Sequence, residues 1–406
     1  MGQAVAERDT PTVLRLLRQY LPELSQEAVG RICGISQTTV HRAENGTGLH
    51  DRRLAHQALT RLLPTSLSHD DDTSDSDLTM GVIAEAIPES AEPQGIARLR
   101  QLVDIYDLPD DGPTRSLGEL QRSVTRLIRH RLNSRYTLLL AEMSPLLPEL
   151  TRALYTHQGR ERRQVARLLV QAYRAADAVV DKAGLHDLSA RTIQVMLWAA
   201  TQTEDEVTCA AASYVRAETF FTSANFEPGR RMLERASQRL ALTTPRASAA
   251  YGALHMRAAV LAARDGSASQ ARDHLSEARA LASDTAEGVY TGTAFGPGSV
   301  RVHEVTLALE LGDPHHALAT AAGWIPPTDL PAERRSHFYI DLARAQAQTG
   351  RHELALDALD TAWKTAPEHT RLHPQVSGLL KQMARTGQQT SAVHAFATAT
   401  GIITAG

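Results

Sequence analysis

An all-α fold is predicted, and two observations predict it. The chain has 406 residues, 42% of them hydrophobic but only 4% aromatic, a balance dominated by Ala and Leu that suits helices better than sheets. Its apolar residues recur at three- and four-residue spacing and not in alternation. With a formal net charge of -3 and a pI of about 6.6 the composition is that of an ordinary globular chain, long enough for two or more domains.

The first elements crowd the N-terminus. TVLRLLRQYL, with Leu14, Leu17 and Leu21 on one face, reads as a helix. In LSQEAVGRICGISQTTVHRAENG, 24 to 46, Ser25 caps a helix that starts at Gln26. Val29 and Ile32 give that helix an apolar face, Gly30 takes a crowded position, and Gly34 ends it. Ser36 caps a second helix, with Val40 and Ala43 pointing inward, and LHDRRLAHQALTRLL closes the module through Leu54, Leu59 and Leu62.

After Leu63 the composition changes. PTSLSHDDDTSDSDLTMGVIAEAIPESAEPQG, 64 to 95, is rich in Asp, Ser and Pro and cannot bury enough apolar surface to offset its ordering entropy, so it reads as an acidic flexible linker. Residues 78 to 87 could add a short docking element. Then a helix is expected from about 97, a break at Pro109 to Pro113, and helix again from Leu117.

Farther on, the helical pattern repeats. In YIDLARAQAQTGRHELALDALDTAWKTAPE, Tyr339, Leu342, Ala343, Gly350, Ala355, Leu359, Ala362 and Pro367 occupy the aromatic, small, turn and Pro positions of a tetratricopeptide (TPR) repeat. The register carries over to Ala259, Gly266, Ala271, Leu275 and Ala278, to Leu380, Gly387, Ala392, Phe396 and Ala399, and to Ala217, Phe220, Gly229, Leu233 and Ala236, with a degenerate unit at Gly312 and Ala317. Turn glycines at 266, 312, 350 and 387 fall at longer intervals than the roughly 34 residues of a standard repeat, which implies inserted turns or loops. The expected organisation is a helical module over 1–63, the linker over 64–95, and a TPR-like α-solenoid over 96–406.

Residues 10 to 63 resemble the Xre/lambda-repressor-like helix-turn-helix transcription factors, a five-helix-type fold, through the Gln at the start of the first helix, the "GIS" turn and the "ENG" ending. The resemblance implies that the second helix lies in the major groove of duplex DNA. Carried over by position, Gln37, Thr38, Thr39 and His41 would face the bases, Arg42 the backbone, and Gln26, Arg31, Arg52 and Arg53 the phosphates, with the capping Ser36 also at the DNA. Gln can pair bidentately with adenine and Thr can meet a thymine methyl. Glu7, Asp9, Glu23, Glu27, Glu44 and Asp51 offset most of the module's arginines, so one copy would bind weakly and a homodimer is implied, its two recognition helices about 34 Å apart.

An Xre-like module joined to TPR-like repeats also resembles the ligand-sensing regulators of Gram-positive bacteria. Longer actinomycete-type regulators are similar over most of the chain, with "YDLPDDGPTR" at 106, "TAFGPGSVRVHEVTLALELGD" at 293, "IDLARAQAQTGR" at 340 and "APEHTRLHP" at 366 as the marks. The resemblance implies a signalling peptide or small-molecule effector on the concave inner face. The loop EGVYTGTAFGPGSV, 287 to 300, with Tyr290 and Phe295 for stacking, is the candidate for ligand contact, followed by His303 and Glu304. Inner-face positions projected from the repeat register are Tyr214, Glu218, Phe221, Met256, Val302, Thr306, Ile340 and Arg344. Glu218 and Arg344 are favoured because an unpaired charge invites an opposite one.

No catalytic constellation is visible, and no cofactor or metal is expected. There is no GxxxxGK[ST] phosphate loop, and "GTG" at 46 and "FGPGSV" at 295 lack an expected preceding strand. His315 and His316 are adjacent and not at i, i+4, and the histidines are expected on solvated helix faces. Cys33 and Cys209 suggest neither disulfide nor zinc site. With no signal peptide or membrane span apparent, a cytoplasmic location is expected. The rival reading is a TPR interaction adaptor with a vestigial helix-turn-helix.

Overall fold

The computed structural model describes Ser25, Gln26, Val29 and residues 37–45, 94–385 and 390–402, in two compact units, Met1–Ala91 and Glu92–Gly406. The helices expected before Ser25 and after Asn45, Gly34, nearly all of the linker with its 78–87 segment, and Gly387 lie outside the described residues.

In the first unit Gln26 is helical and the Val29 amide donates to the Ser25 carbonyl at 3.0 Å, as a helix starting after Ser25 requires. Helix α1, Gln37–Glu44, follows. Val29 and Val40 are both fully buried, so each helix presents the apolar residue that its pattern assigned to the interior.

The second unit is helical almost throughout. It comprises α2 (Gln94–Asp104), α3 (Leu117–Leu132), α4 (Tyr136–Thr156), α5 (Gly159–Lys182), α6 (His186–Thr201), α7 (Glu206–Thr222), α8 (Phe226–Ser237), α9 (Pro245–Arg264) and α10 (Ala268–Ala282). After a short hairpin come α11 (Pro297–Glu310), α12 (Pro314–Ala321), α13 (Ala332–Gln348), α14 (His352–Thr365), α15 (Pro367–Leu372), α16 (Pro374–Arg385) and α17 (Thr390–Thr400). Local chemistry sets the boundaries. Ser116 and Glu119 form a capping box ahead of α3, and Asp205 and Asp313 cap α7 and α12 by accepting from the Val207 and His316 amides. Gly266, Gly312 and Gly350 make the turns expected of them, with φ of 78°, 76° and 78°.

Gly229 does not. It lies inside α8, where a side chain would collide with Phe220; the turn before α8 is made at Ala224, with φ 52°. In that unit the glycine serves close helix packing and not chain reversal. The 287–300 segment also departs from a plain loop. It holds an antiparallel hairpin, β1 (Gly288–Tyr290) and β2 (Thr293–Phe295), with Val289 opposite Ala294. A three-residue strand therefore does precede "GPGSV", but in a tight hairpin and without the βαβ setting a dinucleotide site needs.

Most consecutive helices pack against each other, and α3, α5, α7, α9, α11 and α13 also touch in sequence as an inner row. Alanine makes this closeness possible: α9 buries Ala247, Ala249, Ala250, Ala253, Ala258, Ala259, Ala262 and Ala263. The row curves until its ends meet, with α13 against α3. The Thr137 amide donates to Glu368 at 2.9 Å across the same seam. The inner face is thus closed into a ring around a cavity.

Candidate functional site

The first candidate surface is the edge of α1. Gln37 and Thr38 are exposed, Thr39 is half-buried, and His41 and Arg42 are exposed, while Val40 between them is buried. This follows from helical geometry, since one apolar residue anchors the turn and its neighbours face out. Gln26 is otherwise engaged than expected. Its Nε2 donates to Glu44 at 2.6 Å and lies 3.2 Å from His41 Nδ1, so its side chain fixes α1 to the preceding helix and is not free to reach a phosphate. Asn45 Nδ2 lies 3.2 Å from His41 Nε2. Arg31, Ser36, Arg52 and Arg53 lie outside the described residues.

The second candidate is the cavity inside the ring, of about 410 Å³, walled by α3, α5, α7, α9, the hairpin, α11, α13 and the α15–α16 corner. Tyr214, Glu218, Phe221 and Thr306 line it as the repeat register projects, and His303, expected just after the 287–300 loop, lines it too. Met256, Val302, Ile340 and Phe295 do not: all four are fully buried in the core. Phe295 packs on Gly252, where a Cβ would leave no room for its ring. Tyr290 is half-buried and donates its hydroxyl to the Ala286 carbonyl at 2.8 Å.

The two charges expected to be unpaired are both paired. Glu218 binds Arg257, and Arg344 binds Asp341 at 2.8 Å with Glu310 at 3.7 Å. The charges that lack a carboxylate are others. Arg174 is 8% exposed, forms no ion pair among the described residues, and reaches only the Thr291 carbonyl at 3.4 Å and the face of Tyr214 at 5.5 Å. Arg257 stacks on the same ring at 4.7 Å. Arg334, half-buried, has no ion pair among the described residues, although Tyr214, Glu333 and Glu287 all act on its charge.

Three guanidiniums thus converge on one buried phenol. Burial alone would raise its pKa, but Arg257, Arg334 and Arg174 outweigh burial and bring it down to about 7. Burial, with Arg131 close by, pulls Arg174 down to about 9. Farther along α5, Asp177 accepts from Ser189 at 2.7 Å, yet burial pushes its carboxyl up to about 7.

Histidines form the opposite wall, contrary to the solvated placement expected for them. His303 is buried, with Nδ1 3.0 Å from the Ser299 carbonyl, and burial lowers its pKa to about 3. One ligand atom from each of His337, His369 and His373 lies within 4.8 Å of the others, so these three could hold a metal. His369 and His373 carried a sequence signal, the i, i+4 spacing in "APEHTRLHP". Arg174 and Arg334 carried none, because what sets them apart is the absence of a partner.

A separate cavity of about 570 Å³ beside the hairpin is lined in part by Glu287, Arg301 and Trp324. Glu287 is committed there to structure, accepting from the Ser299 amide and hydroxyl at 2.9 and 2.6 Å.

Neither the protein-family models nor the curated proteins match this chain. Among the described residues no helix is long and apolar enough to cross a membrane.

Proposed function

We propose that the chain is a sequence-specific DNA-binding transcriptional regulator. Its N-terminal unit is an Xre-type helix-turn-helix that reads the major groove through α1, and its C-terminal unit is a TPR-like ring that binds an effector and mediates homodimerisation. The observation that carries the DNA-binding half is the exposed Gln37–Thr38 edge at the N-terminal end of α1, backed by buried Val40. A recognition helix requires that arrangement.

For the effector, a cavity of about 410 Å³ suits a small metabolite or the end of a short peptide. Arg174, buried with no ion pair among the described residues, favours an effector with anionic groups, because a guanidinium held out of water gains most from a bidentate carboxylate or phosphate. The adaptor reading fits less well, since contact between α3 and α13 closes the face along which a protein segment would thread. Effector binding would alter operator affinity to the extent that it favours one ring shape over another.

The test is selection of bound duplexes from a random pool, followed by a salt titration of the selected sequence with the wild type and with Gln37→Ala/Thr38→Ala. A selected motif whose binding the double variant loses supports the proposal. Binding without sequence preference, or equal binding by both proteins, defeats it.

A further inference from the structure

We propose that His337, His369 and His373 form a binding site for a divalent transition-metal ion, zinc being the best fit, in the wall of the ring cavity. The site does not depend on the regulatory reading above.

Three imidazoles from two separate parts of the chain, α13 and the α15–α16 corner, bring ligand atoms within 4.8 Å of each other. His369 is 1% and His373 6% exposed. Nδ1 of His373 is buried with no hydrogen-bond partner, which is costly for a polar atom unless something absent from the chain satisfies it. The rings touch, at 5.1 Å between His369 and His373 and 5.4 Å between His337 and His373.

Oxygens behind the ligands fix two of the rings. His369 Nδ1 lies 3.1 Å from the Ser336 hydroxyl, which is itself 3.0 Å from the Thr370 hydroxyl. His337 Nε2 lies 3.4 Å from Asp341. The opposite nitrogen of each ring, His369 Nε2 and His337 Nδ1, has no hydrogen bond among the described residues. This is the support that metal-bound histidines use to set tautomer and orientation. Lys182 and Arg334, which also line the cavity, oppose a dication, and Glu333 acts against them at His369. Three protein ligands leave a coordination position for water or an effector group.

The experiment uses full-length protein stripped with chelator and titrated with Co²⁺ followed by visible absorption, with Zn²⁺ as competitor. The expected result is saturation near one equivalent, displacement by Zn²⁺, and a higher melting temperature with metal. His337→Ala, at a position whose side chain is 27% exposed and so tolerant of truncation, should weaken binding at least 100-fold. Ser336→Ala should weaken it by roughly tenfold through loss of the hydroxyl that orients His369. Absence of stoichiometric binding by the wild type overturns the proposal, as does binding that His337→Ala leaves unchanged.

Discussion

Arg131 on α3 and Glu333 on α13, 202 residues apart in sequence, meet at 3.4 Å and join the first inner helix to the last. Arg131 also donates to the Gly292 carbonyl at 2.6 Å, which ties the hairpin to the same seam. Arg131 is 7% exposed, so Arg131→Ala strips a shielded carboxylate and a carbonyl of their donor. The expected loss is about 2–4 kcal/mol. Denaturant unfolding of the two proteins measures it, and a loss under 0.5 kcal/mol would show that the seam is held by other contacts.

Gly252 and Phe295 make the second long-range fit. Gly252→Ala forces the Phe295 ring away from α9 and should cost about 1–3 kcal/mol. Phe295→Ala removes the obstacle, so the double variant should be less destabilised than the two single losses predict when added. Additive losses would place the strain elsewhere.

Acid should destabilise the metal-free protein well before ordinary carboxylates titrate. Burial lowers His303 to about 3 and His369 to about 4, and burial together with His274 lowers His255 to about 4. Below pH of about 6.5 the unfolded chain takes up protons that these folded imidazoles refuse. Each group then removes about 1.4 kcal/mol of stability per pH unit until its folded value is reached. Asp177, raised to about 7 by burial, works in the other direction, because the folded carboxyl keeps a proton the unfolded one gives up. Three histidines against one aspartate leave a net fall from pH 7 to 5. Melting temperature against pH tests this, and His369→Asn should flatten the slope.

Arg174 carries opposite predictions for stability and binding. Replacing a shielded guanidinium that has no counter-ion by Met should raise stability by about 1 kcal/mol or more, while weakening any anionic effector tenfold or more. For Tyr214, an anion seated on the arginines neutralises the field that holds the phenol near 7, so its near-ultraviolet titration should move upward when effector binds. A titration that stays in place with a bound effector would exclude contact with this cluster.

On α1 the two kinds of residue separate. Gln37→Ala should leave thermal stability unchanged, since the side chain is exposed, and should reduce discrimination for its base by about 1–3 kcal/mol. Val40→Ala should cost about 2 kcal/mol of that unit's stability, because the side chain is fully buried. Melting curves and binding isotherms on the same preparations distinguish the two.

The helices were legible because their signals are local. The turns at Gly266, Gly312 and Gly350 depend on neighbours a few residues away. Tyr214, Glu218, Phe221 and Thr306 were also within reach, since helical period and repeat register place them on one face. What escaped was pairing at a distance. Glu218 and Arg344 look unpaired until Arg257 and Asp341 are brought beside them. Arg174 looks ordinary until no carboxylate arrives. Gly229 has a turn's composition but is claimed by Phe220, and Phe295 has the chemistry of a stacking surface but is claimed by α9. In each case tertiary packing, not local preference, decides.

The seam between α3 and α13 also changes how the molecule comes apart. A linear stack of helical pairs is a sum of neighbour terms, so its ends can fray while its middle persists. Joining the ends adds a contact that exists only when every intervening pair is in place. Its loss therefore falls on the whole ring, and unfolding becomes a single cooperative event. Arg131→Ala should broaden that transition as well as shift it, turning a closed ring back into an open stack.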